Sequence, residues 1–361
     1  MDFVQKNPLP IPAAGARQKV HSTVDTIFDW EYALREEKLM NLYEKGKAAT
    51  WNASDLDWSV DVDVDRMSVQ TNVRDFFNYV LKVPKTFSQE EALLFRRHAD
   101  AFTLSQFLHG EQGALAAAAK IVQTVPWAEA KFYAANQAAD EARHVEAYHR
   151  YLTEKVGVSY EIHPSLMQLL KDLIEDARWD ITYLGMQIMV EGLALAAFGM
   201  MKLSMPGEPL IHDITTRIMA DESRHVAFGV LSLEKLYTEE MSSQELRERE
   251  DFVIEATRLM HSRLLQTPVF ERLGYDVKVW DAWAAQNPMQ QGFRQLTFQK
   301  IVPNLKRLGM LTPRVRECME DLNLLKFEHD KDSVEDPEIR PSPELMQVMM
   351  GGLAAAAPPR V

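Results

Sequence analysis

The pentapeptide Asp140-Glu141-Ala142-Arg143-His144 returns further along the chain as Asp221-Glu222-Ser223-Arg224-His225. In both copies a glutamate stands three residues before a histidine. That spacing puts the two side chains on one face of an α-helix, but on opposite faces of a strand. Each copy follows, at nearly the same distance, a glutamate set in an apolar helical stretch: Glu111 in Gly110-Glu111-Gln112-Gly113-Ala114-Leu115, and Glu191 in Met189-Val190-Glu191-Gly192-Leu193. A duplicated helix pair is the plain explanation, and it predicts an all-α chain built on a four-helix bundle. An ionised glutamate is expensive to bury alone. No lysine or arginine lies within one helical turn of Glu111 or Glu191 to neutralise it. Two metal cations would do so. Glu111, Glu141, His144, Glu191, Glu222 and His225 together make the ligand set of a two-metal carboxylate site inside a helix bundle. Carboxylates and imidazoles without thiolates suit iron or manganese.

The surroundings of the two frames extend this reading. Asp140 and Asp221 are placed to accept the second ring N–H of a ligand histidine, most simply in a crossed arrangement, Asp221 to His144 and Asp140 to His225. Arg143 and Arg224 are placed to hold those aspartates. Phe107, Leu115, Leu195 and Phe198 lie one or two turns from the ligand glutamates and are candidates for an apolar pocket; each serves equally well as bundle core.

Helical periodicity runs through the rest of the chain. It predicts a helix over 25–47 with Tyr32, Leu34, Leu39, Leu42 and Tyr43 on its apolar side. A capping box at Ser88 and Glu91 opens a long helix to about residue 125. Further helices are expected over 126–156, 164–204 (ended by Pro206-Gly207) and 209–241. Shorter ones are expected over 243–266, 288–308 and 313–325, flanking the bundle. Residues 60–64 show a weak alternation. The expected organisation is an arm over 1–24, a helical domain over 25–327 and a flexible or surface-draped tail over 328–361.

Composition excludes several classes. A net charge of −13 argues against a nucleic-acid partner. The single cysteine, Cys318, permits no internal disulfide and fits a reducing, cytoplasmic setting. Residues 1–20 are proline-rich and lack a signal core, and no apolar run is long enough to suggest a membrane span.

Gly110-Glu111 and the two Asp-Glu-x-Arg-His frames resemble the ferritin-like di-iron carboxylate superfamily over about residues 25–236. The resemblance is closest to the branch that holds bacterial multicomponent monooxygenase hydroxylases and the ribonucleotide reductase small subunit, and these residues match the hydroxylase pattern closely. Leu42-Tyr43-Glu44-Lys45 through Trp51 resembles the ribonucleotide reductase small subunit and the ligand-binding oxidases similar to it. The resemblance implies an O2-activating di-iron oxidase or monooxygenase acting on an apolar small molecule, with an external reductase or ferredoxin and a homodimeric assembly. It implies, as alternatives, a Mn/Fe ligand-binding oxidase or a radical-supplying subunit. Tyr148 stands where the reductase subunit stores its radical, and Trp51 where that family passes electrons through Asp221 and His144. Tyr148 also reads as a buried, hydrogen-bonded tyrosine near the metals, and Trp51 as a core aromatic. No tyrosine follows Tyr275 to carry a radical onward. Leu195 replaces the threonine of the monooxygenases, and Ile218 stands where arylamine oxygenases add a third histidine.

Overall fold

Ser88 starts the longest helix: its hydroxyl accepts from Glu91 N–H at 3.2 Å while the Glu91 carboxylate accepts from Ser88 N–H at 2.9 Å. This reciprocal cap satisfies two donors that a helix start otherwise leaves bare. The computed structural model describes residues 17–30, 32–62, 73–204, 208–262, 265–336 and 338–340. In chain order the helices are α1 Glu37–Ala48, α2 Val73–Asp75, α3 Gln89–Thr124, α4 Ala128–Tyr151, α5 Pro164–Glu175, α6 Trp179–Tyr183, α7 Glu191–Ser204 and α8 Pro209–Lys235. They continue as α9 Ser243–Ser262, α10 Thr267–Arg272, α11 Val277–Gln286, α12 Pro288–Leu296, α13 Ile301–Arg307 and α14 Pro313–Asp321. No strand occurs among the described residues.

The bundle proper is α3, α4, the rod made by α6 and α7, and α8. Helix α3 packs along α4, α7 along α8, and α4 faces α8, while α1 lies across α4 and α8. Between α6 and α7 the chain takes a π-helical course over Leu184–Val190, ending directly before Glu191. Wider turns of this kind are uncommon, and they re-aim the side chains beyond them. The rod is the one described helix long and apolar enough to cross a membrane, and 89% of its apolar window is buried in protein. It is the core helix of the bundle. Helix α9 packs on α5 and the π segment, α13 on the π segment and α8, and α10 on α3.

Several expectations change, among them the helix expected over 288–308, which is divided into α12 and α13 by turns at 297–300. The helix expected over 25–47 begins only at Glu37. Residues 17–30 and 32–35 run without helix, leaving Phe28, Trp30, Tyr32 and Leu34 exposed. The arm is tied down from outside itself: the Glu129 carboxylate accepts from the backbone N–H of Arg35 and Glu36, and Asp29 accepts from Ala128 N–H. The helix expected over 164–204 is broken at 176–178. There the Lys120 ammonium donates to the carbonyls of Leu173, Ile174 and Asp176, capping α5 from across the bundle. Helices α10 and α11 were not expected; they are held by an aromatic cluster in which Tyr275 stacks on Trp280 at 4.5 Å. The tail is not free over its described part. Asp332 and Ser333 are buried, and Ser333 and Asn304 exchange hydrogen bonds. Residues 60–62 form no strand. Residues 1–16, 31, 63–64, 206–207, 263–264, 337 and 341–361, which carried expectations above, lie outside the described residues.

Candidate metal centre

Glu111 comes from α3, Glu141 and His144 from α4, Glu191 from the start of α7, and Glu222 and His225 from α8. All six are buried at the middle of the bundle, none more than 5% exposed. They form two overlapping groups. Glu111, Glu141, His144 and Glu222 each offer a donor atom within 4.8 Å of the others, and so do Glu141, Glu191, Glu222 and His225. Glu141 and Glu222 belong to both. Glu141 turns Oε2 to His144 Nδ1 at 3.3 Å and Oε1 to His225 Nδ1 at 3.1 Å. Glu222 does the same, with Oε1 at 3.2 Å from His144 and Oε2 at 3.5 Å from His225. Each carboxylate thus presents one oxygen to each half, the disposition of a bridging ligand.

The donor atoms are short of partners. Glu141 Oε2, Glu191 Oε2, both oxygens of Glu222 and Nδ1 of His225 are buried with no hydrogen-bond partner. Buried polar groups are otherwise almost always satisfied. A pair of divalent cations would satisfy every one of these atoms, so the residues present fit a two-metal site.

The electrostatics of the side chains alone shows the same shortage of positive charge. Burial raises the Glu111 and Glu191 carboxyls well above the usual carboxylate range, and the charge of Glu222 raises each further. Burial disfavours charge on the imidazoles. The facing carboxylates nonetheless lift both well above the ordinary histidine value, Glu111 first for His144 and Glu222 first for His225. Burial also opposes charge on Glu141, but the two imidazoles hold its carboxyl well below the usual range. Protons therefore stand in for cations, and metal binding must displace them.

Around the ligands the two aspartates sit crossed. His144 Nε2 meets Asp221 Oδ2 at 3.1 Å, and His225 Nε2 meets Asp140 Oδ2 at 3.2 Å. Each aspartate is gripped at Oδ1 by the arginine of its own frame, Arg143 for Asp140 and Arg224 for Asp221. Asp140 also accepts from Asn136 at 3.0 Å, and Asp221 from Trp51 Nε1 at 2.7 Å. The Trp51 ring stacks against His144, with centroids 6.2 Å apart. A neutral imidazole whose Nε2–H is donated to an aspartate leaves the Nδ1 lone pair toward the centre.

Tyr148 lies beside Glu111 and Glu222, with Thr215 next to its hydroxyl but no well-directed hydrogen bond. It forms an aromatic group with Phe107 and Phe198; Phe107 and Phe198 meet edge to face at 4.6 Å. Three of the sequence candidates thus converge on the Glu111 side of the centre. Leu195 is fully buried, whereas Leu115 keeps partial exposure. Two residues were not foreseen. Gln137 Nε2 donates to Glu191 Oε1 at 2.7 Å and to Glu141 Oε1 at 3.1 Å, and Gln187 donates to Gln137 at 3.2 Å. The signal was available: each glutamine stands one turn before a ligand glutamate, on the same face.

No protein-family model matches the chain, and no curated protein does. Among solved structures, it is similar to a single-residue variant of an R2-like ligand-binding oxidase with an anaerobically reconstituted Mn/Fe cofactor. That match has 17% identity and a TM-score of 0.46, covering 78% of this chain and 94% of the other. It is also similar to an R2-like ligand-binding oxidase with an aerobically reconstituted Mn/Fe cofactor. There the identity is 14% and the TM-score 0.42, covering 83% and 94%. The reading of the centre rests on its own donor atoms.

Proposed function

We propose that this chain is an O2-activating oxidase or monooxygenase for an apolar small molecule, working at a dinuclear metal centre. The observation that carries the reading is the pair of donor groups sharing Glu141 and Glu222, buried and short of hydrogen-bond partners. Glu111 and His144 would complete one half and Glu191 and His225 the other, with iron in both or manganese and iron as the pair. When bound, such ions supply O2 binding and one-electron redox chemistry that side chains lack.

The protein's own residues do the rest. Asp221 and Asp140 fix the ring orientation of the two histidines. Gln137 holds Glu191 and Glu141 through its amide N–H groups. Phe107, Tyr148 and Phe198 form an apolar, water-poor wall beside Glu111, where a hydrocarbon portion of a substrate would lie. The buried Tyr148 phenol is kept protonated, pushed up by burial and by the charges of Glu111 and Glu222. It is therefore placed as a donor of a hydrogen bond or a hydrogen atom. Electrons would come from an external reductase or ferredoxin, and a homodimer in the cytoplasm is the assembly and setting we propose.

The test is metal analysis with O2 uptake. Protein loaded anaerobically with iron, alone or with manganese, should hold about two ions per chain, as this ligand set implies, and consume O2 faster than stripped protein. Glu111→Gln and Glu191→Gln should each lower metal content. Normal metal content and O2 uptake in both variants would refute the assignment. One-to-one manganese and iron after mixed loading would mark the Mn/Fe form.

A further inference from the structure

A file of aromatic rings leaves the centre from His225 and reaches the surface at the end of the bundle. His225 and Tyr133 meet in a T-shape with centroids 6.3 Å apart. Tyr133 packs on Phe228 at 4.4 Å, Phe228 on Tyr183 at 5.0 Å, Tyr183 on Trp179 at 5.7 Å, and Trp179 on Trp127 at 5.2 Å. These rings come from three separate helices: α4 gives Tyr133 and its N-cap Trp127, α8 gives Phe228, and α6 gives Tyr183 and Trp179. Tyr133, Phe228 and Tyr183 are fully buried, whereas Trp179 and Trp127 are partly exposed. The Tyr133 phenol has no hydrogen-bond partner, and the Tyr183 phenol has only the Ser232 hydroxyl next to it, without a well-directed hydrogen bond.

We propose that this file is an electron relay, separate from Trp51, joining the His225 half of the centre to the surface and draining oxidising power when no substrate is bound. The proposal rests on the oxidase reading above. The unpartnered phenols set the division of labour. An oxidised phenol must shed its proton, and neither Tyr133 nor Tyr183 has a base hydrogen-bonded to it, since the Ser232 hydroxyl beside Tyr183 is too weak a base to take it. They and Phe228 therefore act as bridging rings, and the charge comes to rest on the indoles. In the step itself Trp127 gives up one electron, which passes through Trp179 and the bridging rings and reduces the oxidised centre by one. The Trp127 cation radical keeps its proton or releases it to water at its exposed edge. A thiol returns the electron and sheds its proton, and the thiyl radicals left by two such events couple to one disulfide, so that two thiols restore two indoles.

The experiment uses full-length, metal-loaded protein exposed to O2 without substrate or thiol, then digested for peptide mass spectrometry. Without a reductant the trapped charge leaves hydroxytryptophan and N-formylkynurenine on the relay indoles. Trp127 and Trp179 should carry more of both than Trp283, which is also partly exposed but belongs to a different aromatic cluster. Phe228→Leu keeps apolar bulk but removes a ring, and should bring Trp127 and Trp179 down to the level of Trp283 at unchanged metal content. Tyr183→Phe keeps the ring, and should keep the oxidation. O2 consumption with Trp127 and Trp179 as clean as Trp283, or undiminished oxidation in Phe228→Leu, overturns the relay and leaves the oxidase reading standing. Absence of O2 consumption overturns both.

Discussion

Replacing Asp221 by asparagine isolates what the crossed aspartates do. Three donors converge on this carboxylate: Arg224 on Oδ1, and His144 Nε2 and Trp51 Nε1 on Oδ2. A carboxylate accepts all three; an amide accepts on its oxygen alone. If the oxygen of the new amide takes the Oδ2 place, its NH2 faces the Arg224 guanidinium. If the amide flips, NH2 faces Trp51 and His144, and the imidazole must move its proton to Nδ1, removing the lone pair that a metal needs. Arg224 is partly solvated and can turn to water, so the first arrangement is the cheaper. Even then His144 loses the charge of Asp221 behind it. Changes of this kind lower metal affinity about 10- to 100-fold, or roughly 1.4–2.8 kcal/mol. The effect should fall on one ion, since His225 keeps Asp140. Anaerobic titration with Fe(II) against a chromogenic chelator should show one ion bound as in the parent protein and one weakened. Both ions bound within about twofold of the parent affinity would refute the tautomer argument, because the expected loss is tenfold or more. Equal weakening of both would refute the claim that each aspartate serves one half.

Three other outcomes follow from the structure. Asp180 and Arg249 form a buried two-bond pair at 2.8 and 2.9 Å, with Tyr237 donating to the same carboxylate at 2.9 Å. Asp180→Asn should cost about 3 kcal/mol in urea unfolding, because a buried guanidinium loses its buried counter-charge and keeps only the half-exposed Glu248 at 3.4 Å. Asp180→Leu with Arg249→Met should cost less than Asp180→Asn; a larger loss in the double variant would refute the reasoning. His98, buried against the Tyr160 hydroxyl at 2.6 Å, has its pKa lowered to about 4, first by burial and then by Arg272 and Arg97. The unfolded chain takes up that proton near pH 6.5, and the folded one only near pH 4. Stability from this group is therefore full above the higher value and lost as pH falls between the two, by about 2 kcal/mol after allowing for solvent screening. His98→Phe should flatten that part of the pH–stability curve, and an unchanged slope would count against the assignment. A Cβ on Gly229 would stand 2.5 Å from Gln187 Cβ. Gly229→Ala should thus push α8 off the π segment and cost about 1–3 kcal/mol; a melting temperature equal to that of the parent would show that the approach is not tight.

The centre was legible because its signal is local and doubled. Glutamate and histidine at helical spacing, in two matching frames, leave little room for another arrangement, and the charge of buried Glu111 and Glu191 demands a counter-ion. The capping box at Ser88 was legible for the same reason: all its partners lie within one turn. What escaped was decided at long range. The break before Trp179 depends on Lys120, which reaches the end of α5 from a helix far away in sequence. The arm before Glu37 has an apolar pattern that suits a helix, but Glu129 captures its backbone N–H groups in a non-helical form. Gln137 and Gln187 are neutral and carry no charge that demands a partner, so only their place one turn before a glutamate of the centre distinguishes them in the sequence.

The π-helical stretch before Glu191 has a consequence for how this rod tolerates change. Each residue added to or removed from an α-helix rotates everything beyond it by about 100°. Asp180, before the stretch, is locked to Arg249 on α9, while Glu191, after it, must face α4 and α8. The wide turn works as a phase adjuster between these two fixed bearings. Deletion of one residue from Leu184–Val190 would let the rod keep either its anchor or its ligand, but not both. Length variation along the rod is therefore confined to the part beyond the last side chain that serves the centre.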